Sequence, residues 1–506
     1  MTTQHFDVLI VGAGISGVGA AYHLTRQTPN LTFVVLEAKE SFGGTWLTHT
    51  YPGVRSDSDL YTFGYRFKPW VSAPIARGEA IRRYMGEVID EADLARHIRF
   101  GHRIETARWS SRDKLWAVEV RRTDTAETLR FTAGFLWMCQ GYYRHEQAYT
   151  PEWPGMQEYR GRIVHPQAWP KSLDLSGKQV VVIGSGATAA TLIPSIADEC
   201  AKVTMLQRSP TYFAYATNAN ELADRLRALE IDESWIHEIV RRQILQDEAQ
   251  FTRRTFDEPE VVRQELLGAV SQFLGPDLTE KHFSPRYRPW RQRLAFVPDA
   301  DLFRAIQAGK AFVETDEIER FTANGLLLKS GKLLEADVVI TATGFNLCVM
   351  GDIEFAVDGE PVNFANTVTY RGMMFTGLPN LFSVFGYLRS SWTLRADLVS
   401  DFVCRLLNHM KARGAKKVEV ALGPQDATLP KLPWIDPENF NPGYLMRSVH
   451  LMPKRLERAE WQHSQDYSND QKVFPAIALD APEFVYDSRR TAPGAAALGA
   501  TAAQSA

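Results

Sequence analysis

The chain contains few cysteines. Cys139, Cys200, Cys348 and Cys404 are the only four in 506 residues, and they are widely spaced in mostly apolar surroundings. No C-x-x-C pair occurs, which argues against a disulfide oxidoreductase built on that motif. We therefore predict that all four thiols stay reduced and pack in the core, and we predict no metal site.

The chain also lacks an excess of charge of either sign. Its 57 Lys and Arg residues against 60 Asp and Glu residues give a formal net charge of −3. Such a balance provides no global basic field that would attract nucleic acid or an anionic membrane. We expect small molecules rather than nucleic acid as partners.

Long apolar runs are missing as well. No uninterrupted apolar stretch is long enough to span a membrane, and the N-terminus enters a strand pattern with no signal-like segment before it. These features predict a cytoplasmic protein without integral membrane association. The only low-complexity segment is an Ala/Gly-rich tail, and we predict that residues 491–506 are disordered.

Two glycine-rich turns dominate what is present. The first follows the apolar run from Phe6 and precedes a helix-forming stretch that ends at Gln27. Strand, glycines, helix, second strand and a final acid are the ordered features of a dinucleotide site. Because Glu37 would bind ribose hydroxyls and repel a 2′-phosphate, this unit suits FAD or NAD. Its candidate cofactor residues are Gly12, Gly14, Ser16, Gly17 and Glu37.

The unit that contains the second glycine-rich turn differs from the first at the end of its second strand. Its second strand runs into Gln207 and Arg208, so the ribose-binding acid is absent and a guanidinium stands just beyond. Arginine binds phosphate through two parallel hydrogen bonds, which favours NADPH over NADH. The alternative is that Arg208 is only a solvated loop charge. The candidate cofactor residues here are Gly184, Ser185, Gly186, Ala187, Thr188, Arg208 and Ser209.

The order of these patterns predicts an α/β fold with two Rossmann-like dinucleotide-binding domains, both discontinuous, and a helical insertion in the second. A hydrophobic fraction of 45% is enough for two or three cores. Helical spacing recurs from Asn220 to Gln250 and from Glu260 to Leu274. We predict the first domain over 1–142 and 345–490, the second over 143–211 and 293–344, and the insertion over 212–292.

Several motifs resemble one family closely. Tyr159 to Pro170, read as Y-R-G-R-I-V-H-P-Q-A-W-P, is similar to the fingerprint of Baeyer–Villiger monooxygenases, in which phenylalanine usually occupies the place of Tyr159. Gly43 to Trp46 and Tyr51 to Asp57 resemble the active-site entry of the same class B flavoprotein monooxygenases. Ser391 to Leu394 is closest to the subgroup of bacterial ethionamide-activating monooxygenases, as are Ser56 to Thr62 and Arg288 to Leu294.

The resemblance implies FAD, NADPH and O₂ chemistry. In the family NADPH reduces FAD, and a C4a-peroxyflavin converts a ketone to an ester or lactone, with sulfide oxidation as a related activity. Arg293 matches the catalytic arginine and Asp57 the active-site aspartate that orients it. The implied cofactor contacts are Gly44, Thr45, Trp46, Asp57 and Trp392. Many relatives carry lysine before the arginine where this chain has Gln292.

Other interpretations remain open at this point. Arg293 could belong to a solvated basic face, Asp57 could cap a turn, and Trp392 could be a core aromatic. His165 and Trp169 fit a packed hinge that controls the flavin site better than direct acid–base catalysis. The alternative functions are oxidation mainly of sulfur or nitrogen, or a non-oxygenating NADPH-dependent flavoprotein reductase. The substrate is expected to be an apolar ketone or sulfide, and the oligomeric state is open.

Overall fold

The computed structural model of the chain describes residues 3–487. The tail for which we predict disorder, residues 491–506, lies outside the described residues. The helices are α1 (Ile15–Gln27), α2 (Thr45–Thr48), α3 (Leu60–Phe63), α4 (Gly78–Glu91), α5 (Ala187–Ile196), α6 (Glu221–Ala228), α7 (Glu233–Asp257), α8 (Pro259–Leu274), α9 (Pro276–Phe283), α10 (Asp301–Gln307), α11 (Trp392–Arg413), α12 (Gly443–Met446) and α13 (Tyr467–Ala476).

The strands form two large sheets and several small ones. They are β1 (Gln4–Val11), β2 (Phe33–Leu36), β3 (Ile98–Arg99), β4 (His102–Ser110), β5 (Leu115–Arg122), β6 (Thr128–Met138), β7 (Tyr143–Ala148), β8 (Arg162–Val164), β9 (Gln179–Ile183), β10 (Lys202–Gln207), β11 (Phe213–Ala216), β12 (Ala295–Pro298), β13 (Ala311–Thr315), β14 (Ile318–Thr322), β15 (Gly325–Leu328), β16 (Leu333–Glu335), β17 (Val338–Thr341), β18 (Phe345–Leu347), β19 (Glu354–Val357), β20 (Glu360–Pro361), β21 (Thr369–Tyr370), β22 (Met374–Phe375), β23 (Leu381–Ser383), β24 (Val418–Val420), β25 (Leu432–Pro433), β26 (Lys454–Arg455) and β27 (Phe484–Tyr486).

The first large sheet has the order β20-β19-β4-β5-β6-β1-β2-β3, with β23 also paired to β6. Strand β1 is parallel to both of its neighbours, whereas β4, β5 and β6 form an antiparallel meander. Val8 and Ile10 point into the core that contains α1 and α11, and Leu9 and Val11 point into the core on the other face. Burial on both faces explains why this strand is a continuous apolar run rather than an alternating one.

The second large sheet is entirely parallel, in the order β13-β10-β9-β17-β8. Its central strand repeats the pattern of the first sheet. Val180 and Val182 face the core built with α5 and α10, and Val181 and Ile183 face the opposite core. Helix α5 follows the second glycine turn just as α1 follows the first.

The chain leaves each sheet and returns to it later. Strands β19, β20 and β23 rejoin the first sheet after β17 has completed the second. The predicted α/β class with two discontinuous Rossmann-like domains is confirmed. The residue boundaries that we assign to the domains stay predictions.

The predicted helical insertion contains the four helices α6 to α9, which lie between β11 and β12. The helical spacing from Asn220 to Gln250 belongs to two helices rather than one, since α6 ends at Ala228 and α7 begins at Glu233. The turn between them places Glu230 at a φ of +56°, and the Asp232 carboxylate accepts a hydrogen bond from the amide of Ser234. An N-cap of this type starts a new helix here, and the turn before it contains neither glycine nor proline.

Three further observations concern the described residues. Within residues 3–487, none of the helices is long and apolar enough to cross a membrane. The four cysteines are all free, and three of them are buried. The described residues also contain no group of three or more His, Cys, Asp or Glu side chains placed to hold a metal ion.

Candidate active site

A cavity of about 990 Å³ lies where both glycine turns emerge from their sheets. The carboxyl ends of parallel strands are where α/β proteins bind ligands, because helix N-termini and loop side chains converge there. Strand β1 ends at one part of the cavity wall and β9 at another. One continuous space therefore serves both nucleotide-binding motifs.

In the first turn, Gly17 sets the distance between helix and strand. A Cβ at this position would lie 1.9 Å from the carbonyl oxygen of Gly12, so only glycine lets α1 pack this closely. Gly14 is the N-cap of α1 and lines the cavity together with Ser16. The free amides of the first helical turn consequently face the space in which a pyrophosphate would lie.

Glu37 follows the second strand of this unit and is held in a fixed orientation. Its carboxylate accepts hydrogen bonds from the amide of Ala13 at 2.7 Å and from that of Lys39 at 2.9 Å. The side chain is 7% exposed and still forms part of the cavity wall. A buried, oriented carboxylate at this place is suited to accept the hydroxyls of a ribose.

The second turn has the same backbone plan. Gly184 has a φ of +125°, and a Cβ there would lie 2.4 Å from the carbonyl oxygen of Ala342. The next glycine, Gly186, caps α5 and has no atom within 4 Å of where its Cβ would stand. The N-terminus of α5 therefore opens directly onto the cavity.

The two units differ at the residue that would bind the ribose. In the first unit the amide of Gly12 donates to the carbonyl of Leu36 at 2.8 Å, and in the second the amide of Gly184 donates to the carbonyl of Leu206 at the same distance. Leu206 is therefore equivalent to Leu36, and the next residue, Gln207, occupies the position of Glu37. Its side-chain amide donates to the carbonyl of His282 at 2.6 Å and to the Thr315 hydroxyl at 2.9 Å.

The residues after Gln207 face the cavity instead. Arg208 and Ser209 are exposed and line its wall, and no ion pair of Arg208 occurs among residues 3–487. A guanidinium and a hydroxyl therefore stand at the end of β10, where the first unit has a carboxylate.

The segment between α9 and β12 brings Arg293 into the cavity beside Asp57. Arg293 Nη2 donates to Asp57 Oδ2 at 2.6 Å, and the two side chains are 32% and 34% exposed. The Asp57 charge holds the pKa of Arg293 well above its usual range, although burial acts in the opposite direction. Arg293 is therefore a permanent cation that still faces the open cavity.

Three tyrosines surround this ion pair: Tyr142, Tyr143 and Tyr444 line the same cavity. Tyr142 donates its hydroxyl to that of Tyr143 at 2.8 Å. Burial raises the pKa of both phenols, so these hydroxyls remain neutral. The wall beside Arg293 is thus apolar with a few neutral hydroxyl groups.

Asp57 is also tied to the second domain through its own loop. Two residues earlier, Arg55 donates through Nη1 to Asp301 Oδ2 at 2.5 Å and through Nη2 to Oδ1 at 3.3 Å. Asp301 is the first residue of α10, which packs against the second sheet. This two-point contact fixes the Asp57 loop relative to the second Rossmann-like domain.

Trp392 closes the cavity next to the first turn. Its Nε1 donates to the Ser16 hydroxyl at 2.8 Å, and its ring stacks on Tyr142 at a centroid distance of 5.3 Å. Phe63, which follows the Ser56 to Thr62 motif, also lines the cavity. Tyr61 is fully buried in the core, where its hydroxyl accepts a hydrogen bond from Arg227.

The motif segment from Tyr159 to Pro170 contains β8, the edge strand of the second sheet. The Tyr159 hydroxyl donates to the carbonyl of Ala336 at 2.9 Å, and His165 Nε2 lies 3.2 Å from the carbonyl oxygen of Gly344. Burial lowers the pKa of His165, which favours a neutral ring. These are the contacts of a packed connecting segment, and the conformational role assigned to it stays a prediction.

The structure brings nearly all the predicted site residues to one cavity. Gly17 is the exception, since it acts by packing helix against strand rather than by lining the space. Those that line the cavity are Gly12, Gly14, Ser16, Glu37, Gly44, Thr45, Trp46, Asp57, Gly184, Ser185, Gly186, Ala187, Thr188, Arg208, Ser209, Arg293 and Trp392.

The sequence reasoning missed two histidines in the wall, His49 and His145. Burial lowers the pKa of His49 to about 4 and that of His145 to about 3, and Lys39 adds to both shifts. Their rings are 6.4 Å apart, and neither Nδ1 has a hydrogen-bond partner among the described residues. His49 lies between two quoted motifs and could have been noticed, whereas no local signal marks His145.

Comparison with known proteins agrees with this architecture. Residues 10–73 match the NAD(P)-binding Rossmann-like domain and residues 74–220 the flavin-binding monooxygenase-like family. Among solved structures, an oxidized steroid monooxygenase bound to NADP has a TM-score of 0.75 at 22% identity and covers 96% of this chain and 99% of its own. An open form of cyclohexanone monooxygenase has a TM-score of 0.73 at 21% identity, with 96% and 100% covered. These two likenesses concern the fold.

Two relatives are much more similar in sequence. The FAD-containing monooxygenase EthA of Mycolicibacterium smegmatis is 44% identical over 97% of this chain and 99% of its own. The probable FAD-binding monooxygenase AlmA of an Acinetobacter species is 42% identical over 93% and 94% of the two chains. By its sequence and its fold, the chain belongs to the flavin-binding, FAD-containing monooxygenase family that includes the EthA proteins.

Proposed function

We propose that the protein is an FAD-dependent, NADPH-consuming Baeyer–Villiger monooxygenase that uses O₂ to convert apolar ketones to esters or lactones, and that it also oxidises sulfides. The observation that carries the proposal is that one cavity contains two glycine-capped helix N-termini and the Arg293–Asp57 pair. Two nucleotides and a permanent cation in one space fit electron transfer followed by attack on a carbonyl.

The residues of the first unit fit FAD. The N-terminus of α1 and the buried Glu37 carboxylate offer amides to a pyrophosphate and an acceptor to a ribose. When bound, the flavin would supply the activation of O₂, which no amino-acid side chain provides. The residues proposed to hold it are Gly12, Gly14, Ser16, Gly17, Glu37, Gly44, Thr45, Trp46 and Asp57.

The residues of the second unit fit NADPH. The open space at Gly186 leaves the N-terminus of α5 accessible from the cavity, where its amides would bind a pyrophosphate. Arg208 and Ser209 line the same cavity and would bind a 2′-phosphate. The residues proposed to hold this nucleotide are Gly184, Ser185, Gly186, Ala187, Thr188, Arg208, Ser209 and Trp392.

Arg293 is proposed to stabilise negative charge on oxygen during the reaction. An anion beside the tyrosine-lined part of the wall is costly unless a cation lies next to it. The ion pair with Asp57 keeps the guanidinium charged and oriented while leaving a third of it accessible. The neutral tyrosine hydroxyls around it can orient a substrate carbonyl without competing for the charge.

Replacing Arg208 with alanine is expected to raise the KM for NADPH roughly tenfold or more and to leave the KM for NADH nearly unchanged. A charged hydrogen bond of this kind contributes roughly 1.5–3 kcal/mol, and only NADPH carries the phosphate. Initial-rate kinetics with both nucleotides give the comparison. Arg304→Ala, an exposed arginine outside the cavity wall, serves as the control. Equal weakening of both nucleotides by Arg208→Ala would mean that this arginine does not bind the phosphate.

The proposed reaction is tested by product analysis. Aerobic incubation of the purified yellow protein with NADPH and a medium-chain methyl ketone is expected to give the ester with one added oxygen, detected by mass spectrometry. A methyl sulfide in a parallel reaction tests heteroatom oxidation. Sulfoxide without ester would favour a monooxygenase acting on sulfur. NADPH oxidation that needs neither O₂ nor substrate would favour the reductase alternative.

A further inference from the structure

A carboxyl group lies directly behind the cavity wall and is connected to it by one hydroxyl. Ser390 lines the cavity, and its Oγ is 2.9 Å from Glu248 Oε2. Glu248 belongs to α7 of the helical insertion, whereas Ser390 precedes α11 of the first Rossmann-like domain. This hydrogen bond therefore joins two parts of the molecule at the wall of the proposed active site.

Ser390 is held in place by its neighbours. The Ser391 hydroxyl, fully buried, lies 2.7 Å from that of Thr62, and Trp392 is hydrogen-bonded to Ser16. Both contacts fix the two residues that directly follow Ser390. The hydroxyl is consequently kept between the cavity and Glu248.

The charges that face Glu248 leave its carboxyl without a counterion. Arg241, two turns earlier on the same face of α7, donates to the carbonyls of Tyr61, Thr62 and Gly64 and is occupied by them. Asp59, the N-cap of α3, is the other charged group that acts on Glu248. Among the residues that the structure describes, Glu248 has no ion-pair partner.

These surroundings favour the protonated acid. Burial raises the pKa of Glu248 to about 7, with a further contribution from the Asp59 charge and opposite contributions from Ser390 and Arg241. Burial likewise raises the pKa of Asp59 to about 6. Glu248 therefore exchanges its proton near neutral pH, which is the condition for a proton donor in catalysis.

The proposed reaction requires such a donor. NADPH, O₂, one substrate molecule and one proton give NADP⁺, the oxygenated product and one water molecule. The water carries the second oxygen atom of O₂, so each turnover takes up one proton inside a cavity walled by tyrosines. Arg293 does not supply it, because its guanidinium remains charged throughout.

We propose that Glu248 and Ser390 form a relay that delivers this proton to the cavity. The inference rests on the proposed function. In the protonated state the Glu248 carboxyl donates to Ser390 Oγ, which leaves the serine proton free to point into the cavity. In the transfer the serine O–H bond breaks as its proton passes to the oxygen atom of O₂ that leaves as water, and the serine oxygen forms a new O–H bond with the proton of Glu248. The resulting carboxylate accepts the Ser390 hydrogen bond and regains a proton from solvent.

The relay is tested first without turnover. Infrared difference spectra of wild type against Glu248→Gln, recorded on the holoenzyme, are expected to contain one protonated carboxyl at pH 6 that is absent at pH 8. In Ser390→Ala this carboxyl should lose its proton at higher pH, because the hydrogen bond that stabilises the ionised form is removed. A carboxyl that is already ionised at pH 6 would overturn the assignment.

Single-turnover product formation then tests delivery. In wild type the rate should fall as the pH rises through about 7, where the donor loses its proton. Glu248→Gln and Ser390→Ala should form product roughly 100-fold more slowly at pH 6 and lose this pH dependence. Ser390→Thr, which keeps the hydroxyl, should restore both.

Asp247→Asn is the matched control, since it removes an exposed carboxylate from the adjacent position of α7 and should behave as wild type. A Glu248→Gln variant with the wild-type rate and pH dependence would refute the relay alone. If the wild type itself forms no oxygenated product, the proposed function fails together with the relay.

Discussion

Arg293→Ala is expected to abolish formation of oxygenated product while the protein still binds FAD and still oxidises NADPH. The variant loses the only charge proposed to stabilise an anion on oxygen, and loss of such a group costs roughly 10²–10³-fold in rate. Hydride transfer needs no such anion, so NADPH consumption should continue and yield hydrogen peroxide. Parallel measurement of NADPH absorbance, peroxide and ester by mass spectrometry separates the two steps.

Arg291→Ala provides the control for this experiment. Arg291 lies on the same segment but pairs with Glu438, whose side chain is 85% exposed. Loss of an exposed pair costs little, so the control should retain ester formation. Ester produced by Arg293→Ala at the wild-type rate would contradict the role assigned to this arginine.

Asp470→Ala is expected to lower the free energy of unfolding by roughly 3–5 kcal/mol, the usual cost of leaving a buried charge without its partner. Asp470 Oδ2 lies 2.5 Å from Arg395 Nη1, and the two side chains are 3% and 1% exposed. The same oxygen accepts hydrogen bonds from Tyr387 and Ser464, each at 2.7 Å. Chemical denaturation of the holoenzyme measures the loss.

The control is Asp198→Ala, which removes an aspartate that is 78% exposed and paired with Lys310 on the surface. That substitution should change stability by no more than about 1 kcal/mol. Replacing both buried partners, Arg395→Met with Asp470→Leu, should recover much of the loss, because no charge is then left buried alone. Equal stability of wild type and Asp470→Ala would show that water reaches Arg395.

The parts of the site that could be predicted from sequence are those encoded locally. Each glycine turn depends on a strand and a helix that are adjacent in the chain, and Glu37 follows the next strand. The pairing of Asp57 with Arg293 spans 236 residues and was expected only because both motifs resemble one family. The structure places these two residues within hydrogen-bond distance.

The remaining features depend on contacts that no local pattern contains. Ser390 and Glu248 are 142 residues apart, and the hydrogen bond of Trp392 to Ser16 spans 376. Such contacts arise when the chain returns to the first sheet after completing the second. The break before α7 is different, because the Asp232 cap is a local signal that helical spacing alone overlooks.

The two-point contact between Arg55 and Asp301 limits how this enzyme can be recombined with its relatives. The two residues lie in different domains: Arg55 is two residues from Asp57, and Asp301 is the first residue of α10. A chimera that exchanges the second Rossmann-like domain but keeps the loop with Arg55 and Asp57 would leave Arg55 without its Asp301 partner. A functional chimera should therefore take the loop with Arg55 and helix α10 from the same parent.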